Sequence, residues 1–339
     1  MKKITVLAAG LAGLMIAGSA HASMLDTVKK RGKLICGVNT GLSGFSAPDS
    51  KGVWRGLDAD VCRAVAAAIL GDGDKIEFVP TTAQQRFTVL QSGEVDILSR
   101  NTTWTLTRDT ALGFNFGPTT FFDGQGFMVK KSLGVKSAKE LDGATICVQP
   151  GTTTELNLAD YFRANNMKFK PVVIEKLDEV NAAFFSGRCD VLTTDRSGLA
   201  SVRATMAPNP KNYVILPEII SKEPLGPLVR HGDDQFFDIM KWTVMALFDA
   251  EEKGVTQANV DDMVKNSKDP EVQRMLGVTP GMGKALGLDQ KWAYNAIKAV
   301  GNYGEIFARN VGPDTPLGLE RGLNQLWTKG GLIYGDPIH

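Results

Sequence analysis

The chain has 339 residues, 43% of them hydrophobic and 22% charged, a composition that can bury a large core and excludes the disordered and fibrous classes. Its 38 basic and 37 acidic side chains nearly cancel, to a formal +1, and no run of Lys and Arg is interleaved with aromatics, which argues against a nucleic-acid partner. Only three histidines occur, His21, His231 and His339, so a zinc site or a His-activated nucleophile has almost nothing to draw on, and neither metal nor cofactor is expected.

The N-terminus reads as an export leader. Met1-Lys2-Lys3 is basic, Ile4 to Gly18 is apolar, and Ala20-His21-Ala22 offers the small-x-small pattern of signal peptidase, so residues 1–22 are expected to be a signal peptide cleaved after Ala22. The apolar run is short for a membrane span of ~20 residues and is soon followed by Asp26, Lys29, Lys30 and Arg31. No Cys stands at the cleavage site to carry a lipid. The mature protein is therefore expected outside the cytoplasm, soluble, without membrane insertion.

A strand over Leu34–Val38 opens the mature chain, followed by a Gly-bearing turn with Phe45 in it. Phe45 either packs against a ligand or anchors the loop. A helix follows over Asp58–Leu70, with Val61, Val65 and Ile69 on one face and Gly71 ending it. The next helix, Arg86–Gln91, leads into Ser92-Gly93-Glu94-Val95-Asp96-Ile97-Leu98. Arg86 either points into a cleft or ties its half of the molecule together. Beyond Leu98 the polar loop from Asn101 to Arg108 sits where a cleft residue belongs; an Arg there is either solvated or holds a carboxylate with its planar fork.

The pattern then repeats. A strand over Ala144–Val148, a helix over Thr152–Phe162 and a helix over Glu179–Phe185 lead into Ser186-Gly187-Arg188-Cys189-Asp190-Val191-Leu192, which shares Ser-Gly-x-x-Asp-[Ile/Val]-Leu with the first copy. Asp96 and Asp190, inside the repeat, read as structural. Pro150-Gly151-Thr152-Thr153-Thr154-Glu155 fits a capping box at a helix start whose free amides also attract an anion. Asp195 is the counterpart of the post-strand loop, either an N-cap for a helix starting near Ser197 or an acceptor for an ammonium group.

Strands alternating with helices in two similar blocks imply an α/β fold of two lobes, each a mostly parallel sheet flanked by helices. Thr119–Gly126 and Ser221–Pro227 read as the two crossings between lobes. The expected division is 23–125 for the first part of lobe one, 126–222 for lobe two, and 223–339 for the rest of lobe one, including an amphipathic helix over Asp238–Glu252 and a C-terminal extension. Small molecules favour the cleft between such lobes. Four cysteines, Cys36, Cys62, Cys147 and Cys189, allow three pairings. Cys36 with Cys62 and Cys147 with Cys189 is favoured, because each bond then stays within one lobe.

From Gly32 to about Asn259 the chain resembles the extracytoplasmic solute-binding proteins of amino-acid ABC transporters, particularly the polar and general L-amino-acid receptors of Gram-negative bacteria. The resemblance rests on Gly56-Leu57-Asp58-Ala59-Asp60-Val61-Cys62, Gly93-Glu94-Val95-Asp96, Thr107-Arg108, Gly151-Thr152-Thr153 and Gly187-Arg188-Cys189-Asp190 with Asp195. It implies a type II periplasmic-binding-protein fold whose lobes close by hinge motion around a free L-amino acid, and delivery to an inner-membrane ABC permease by a monomer. It further implies that Arg108 grips the α-carboxylate with Thr103 and Asn101, that Thr152 and Thr153 add contacts, that Asp195 holds the α-ammonium, and that Arg86 stands where acidic-ligand binders place a side-chain-reading Arg. Trp104 and Arg100 depart from close relatives and bear on the side-chain pocket, while the tail after Asn259 resembles the general receptors and points to broad specificity. The competing class is a dehydratase-like enzyme on the same scaffold, which needs a placed acid or base; the sequence commits no extra carboxylate to the cleft.

Overall fold

The computed structural model describes residues 23–339, so the expected leader and its cleavage after Ala22 lie outside the described residues. Two five-stranded sheets form the framework. The first runs in the spatial order Ile76–Thr81, Leu34–Asn39, Ile97–Leu98, Leu228–Arg230, Phe114–Phe116, and the second Lys170–Val173, Thr145–Val148, Val191–Asp195, Gln125–Lys130, Tyr213–Ile215. In both, the first three strands are parallel and the fourth is antiparallel to its neighbours. The internal repeat is thus an architectural repeat. The antiparallel fourth strand comes in each case from chain beside a crossing: Gln125–Lys130 directly after the first crossing and Leu228–Arg230 directly after the second.

The repeated Ser-Gly-x-x-Asp element does the same job twice. Gly93 (φ +82°) and Gly187 (φ +84°) hold the left-handed backbone that turns each chain out of its helix. The Asp three residues later reaches back to the second strand of its own sheet in that order: Asp96 accepts from the Ile35 N–H at 2.8 Å and Asp190 from the Thr145 N–H at 2.9 Å. Arg31 also pairs with Asp96. The structural role expected for these two carboxylates is the one they play.

The helix Leu57–Leu70 is buried on nearly every face, and its alanines let it lie close against Leu34–Asn39 on one side and the helices Asp234–Glu252 and Trp292–Val300 on the other. It ends at Gly71 in the left-handed region. The disulfide Cys36–Cys62 ties this helix to the strand beneath it, and Cys147–Cys189 ties the strand Thr145–Val148 of the second sheet to the turn before Val191–Asp195. Both pairings are those favoured on the sequence. Residues 277–339, expected to pack on the first lobe, do so: Trp292, Ile297, Tyr303 and Phe307 join the same core as Leu34 and Val61.

The crossings pair with each other, Phe121–Asp123 running antiparallel to Glu223–Leu225. The C-terminal extension holds the first of them. The Asn324 side chain accepts from the Phe122 N–H at 2.6 Å and donates to its carbonyl at 3.2 Å, and the Tyr303 hydroxyl donates to the Thr120 carbonyl at 2.8 Å. No helix among the described residues is long and apolar enough to cross a membrane.

Candidate functional site

The carboxyl ends of the parallel strands in the two sheets face one another, and beside them lies a cluster of buried charged groups: Arg86, Arg100, Arg108, Asp58, Asp195 and Glu223. Arg108 sits in a turn of π-helix, Thr107–Ala111, beyond the first sheet. Its guanidinium donates to the Thr103 carbonyl at 2.8 Å and lies over the Phe87 ring, 5.0 Å from the centroid. Burial pulls Arg108 down to about 10, against the opposing pull of Glu223 and Asp195. It remains a cation at neutral pH, held by a ring face and one carbonyl, with donors left over for a carboxylate.

Asp195 ends the strand Val191–Asp195 of the second sheet and occupies the N-cap position of the helix Arg196–Thr205, but its side chain does not cap. The cap comes from elsewhere: Asp123, in the first crossing, accepts from the Ser197 N–H at 3.2 Å. Of the two alternatives open for Asp195, capping is therefore taken by another residue, and the Asp195 carboxylate is buried within the cluster. Burial pushes Asp195 well above the ordinary carboxylate range, and the Asp123 and Glu223 charges add to the rise while Asn101 and Arg86 oppose it. A fully buried carboxylate in this state favours an incoming cation.

Asn101 ties the cluster to the first sheet. Its backbone adopts φ +34°, a left-handed conformation that Asn tolerates better than most residues, and its N–H donates to Asp58 at 2.7 Å. Its side-chain oxygen accepts from Asn39 at 2.9 Å. Asp58 is raised to about 6 by burial, with Asn101, Ser99 and the Arg100 charge working the other way. Arg100 itself donates to the Thr81 carbonyl at 2.9 Å. Trp104 turns away, half-exposed, stacked on Phe116 with its indole N–H on Asp109.

Thr152 caps the helix Thr153–Ala164 by accepting from the Glu155 N–H, as the spacing predicts, but Glu155 reaches the Gly151 N–H rather than that of Thr152, so the capping box is shifted by one residue. Helix geometry leaves the N–H groups of Thr153 and Thr154 without a carbonyl partner, facing the interlobe space where an anion is favoured. Beside the charged cluster lies a cavity of about 30 Å³ lined by Asn39, Asn101, Gln149, Thr152 and Thr154 among others. That is room for about one water. Cross-lobe contacts close the rim: Thr82 donates to Glu175 at 2.7 Å and Ser201 to the Ser43 carbonyl at 2.8 Å.

Arg86 is 3% exposed, reaches Thr102 at 3.4 Å, lies over Phe87, and leaves its Nε without a partner. Burial and then the Arg108 and Arg100 charges push it well below its ordinary value. Phe45 stands apart from this cluster. Its ring packs edge-to-face on Phe121, 5.3 Å away, inside the core, so the structure gives it the anchoring alternative rather than the ligand contact. Glu223 was not anticipated: it is 1% exposed on the second crossing strand and accepts from Thr103, Thr153, Asn157 and Ser221. With Asp123 it corrects the expectation that no further carboxylate is committed to the cleft. The four donors come from three stretches of chain, around Thr103, the helix Thr153–Ala164 and Ser221, which no spacing in the sequence could announce.

Residues 34–261 match the bacterial extracellular solute-binding proteins, family 3. Over 339 residues the chain is 61% identical to the general L-amino acid-binding periplasmic protein AapJ of Rhizobium johnstonii, covering 99% of each chain. It is 57% identical to the glutamate/glutamine/aspartate/asparagine-binding protein BztA of Rhodobacter capsulatus over the full length of both. Among solved structures, a periplasmic binding protein from Brucella ovis with glutathione bound superposes with a TM-score of 0.92 at 57% identity, covering 94% of this chain and all of that one. The likeness to these full-length relatives includes the C-terminal extension, beyond the residues that define the family. Two sheets facing across a charged cleft, and relatives that are binding proteins rather than enzymes, agree: the chain belongs to the bacterial extracellular solute-binding proteins, family 3.

Proposed function

We propose that this protein is a periplasmic receptor that captures L-amino acids of broad side-chain type between its two lobes and delivers them, as a monomer, to an inner-membrane ABC permease. The observation that carries this reading is a pair of buried opposite charges brought together from different sheets, Arg108 beyond the first and Asp195 at the end of the second, each acting on its surroundings without a full partner of its own. A zwitterion supplies both partners at once. In this reading Arg108 and the free N–H groups of Thr153 and Thr154 hold the α-carboxylate, Asp195 holds the α-ammonium, Thr103, Asn101 and Thr152 shape the walls, and Arg86 meets acidic or amide side chains. The relatives support breadth: one is named for general binding, one for four side chains, and the glutathione of the third carries a free α-ammonium and α-carboxylate on its γ-glutamyl residue. The lobe division 23–125, 126–222 and 223–339 and export by a leader over 1–22 belong to the same proposal.

The test is thermal unfolding of ligand-stripped protein against the twenty L-amino acids and their D forms. A ligand that binds only the folded state raises apparent stability by RT ln(1 + [L]/Kd). Rises with many L forms, glutamate and glutamine among them, and none with their D counterparts are the expected outcome; silence toward all of them contradicts the reading.

A further inference from the structure

Glu223 has four lone-pair sites on its carboxylate, and four donors fill them. Oε2 accepts from the Thr103 hydroxyl at 2.5 Å and the Thr153 hydroxyl at 2.9 Å; Oε1 accepts from the Asn157 amide at 2.8 Å and the Ser221 hydroxyl at 2.6 Å. A carboxylate so saturated does not serve as a ligand contact, an acid or a base. What distinguishes it is where the donors come from. The strand Glu223–Leu225 is fastened to the first half by the Trp104 N–H on the Pro224 carbonyl at 2.9 Å, the Gly226 N–H on the Thr102 carbonyl at 3.1 Å, and the bridge between Thr103 and Leu225. Thr153 and Asn157, four residues apart on one face of the helix Thr153–Ala164, belong to the second half, whose sheet that helix covers.

We propose that Glu223 is a positioning residue that latches the closed receptor: it travels with the first half, and the second half delivers Thr153 and Asn157 to it only on closure. The proposal rests on the receptor reading above. It carries a consequence for recognition. Thr103 and Thr153 have one O–H each, both spent on Glu223, so toward a ligand they offer lone pairs, and the grip on the carboxylate passes to Arg108 and the backbone N–H groups of the helix start. Because the latch acts after the ligand has entered, it governs escape rather than capture.

The experiment compares Glu223→Gln, Asn157→Ala and the double variant with the natural protein, measuring association and dissociation of L-glutamate by stopped-flow fluorescence and the thermal midpoint without ligand. The expected result is dissociation faster by about tenfold in each single variant, association changed by less than threefold, a double variant no faster than Glu223→Gln alone, and an unliganded midpoint within a few degrees of the natural protein. Asn157→Ala keeps the test alive should Glu223→Gln fail to fold. Unchanged dissociation in a variant of a protein that does bind overturns the latch alone, as do effects of the two substitutions that simply multiply. A natural protein that binds no amino acid overturns the receptor reading, and the latch with it.

Discussion

At Asp195 a single carboxylate is kept from its local duty so that it can do another. The N-cap position it occupies normally satisfies the helix behind it, yet Asp123 reaches across from the crossing strand to do so, and Asp195 is left buried beside two other acids, its pKa pushed upward by burial and by their charge. An ammonium group favours the ionised form, so binding below that raised pKa expels a proton, and affinity rises with pH until Asp195 is ionised unaided. Calorimetry from the ordinary carboxylate range upward in pH, in buffers of different ionisation enthalpy, reads this directly. Proton release is expected for the natural protein and none for Asp195→Asn, whose affinity falls; equal release in both contradicts the assignment. The unliganded fold has the related sign: Asp58 and Asp123 stand at about 6 against an ordinary 3.8, so the folded state binds more protons in that window, and their contribution to stability falls as pH rises through it. The sequence marked Asp195 by its place after a repeated strand, and left cap and ligand contact as equals. Asp123, 72 residues away and on a different element, takes the cap, which no local pattern announces.

Among the elements, those with local causes were legible in advance. The helix ends at Gly71 and Gly93, the Thr152 cap and the repeat that builds both sheets all follow from a few adjacent residues acting through short-range geometry. Helix starts shifted by a residue or more, as at Leu57, Leu177 and Asp234; Leu57 and Leu177 are strong helix formers, and at Asp234 the Asp233 side chain caps the start by accepting from the Phe236 N–H. The π-turn under Arg108 had no signal, and neither had Glu223. The cysteine pairing was legible because each bond joins elements of one repeat. Cys147–Cys189 closes 42 residues of chain, which on the loop-entropy account stabilises the fold by about 4 kcal/mol. Replacing both by Ala is expected to lower the denaturation free energy by that order in urea titration, with ligand affinity changed little, since neither sulfur lies in the cleft. A loss of binding with stability intact would contradict this division of labour.

For the molecule as a whole, the two sheets are near copies, and what breaks their symmetry is what makes a receptor. The first half gains the helices Asp234–Glu252, Trp292–Val300 and Tyr303–Asn310 and becomes the larger, with one crossing strand fixed to it through Asn324 and Tyr303. On the receptor reading proposed above, motion is concentrated where that hold stops, near Gly124 and Ser221, and the second half carries Asp195, Thr153 and Asn157 toward Arg108 and Glu223. The central claim is that opposite charges from opposite halves close on one zwitterion. Its most direct test is titration calorimetry of L-glutamate into the natural protein and Arg108→Ala, with the thermal midpoint as a check of folding. The account predicts binding by the natural protein and a loss of about 2–5 kcal/mol in the variant, tens- to thousands-fold in Kd, at an unliganded midpoint that stays close. Equal affinity in the two proteins would contradict it.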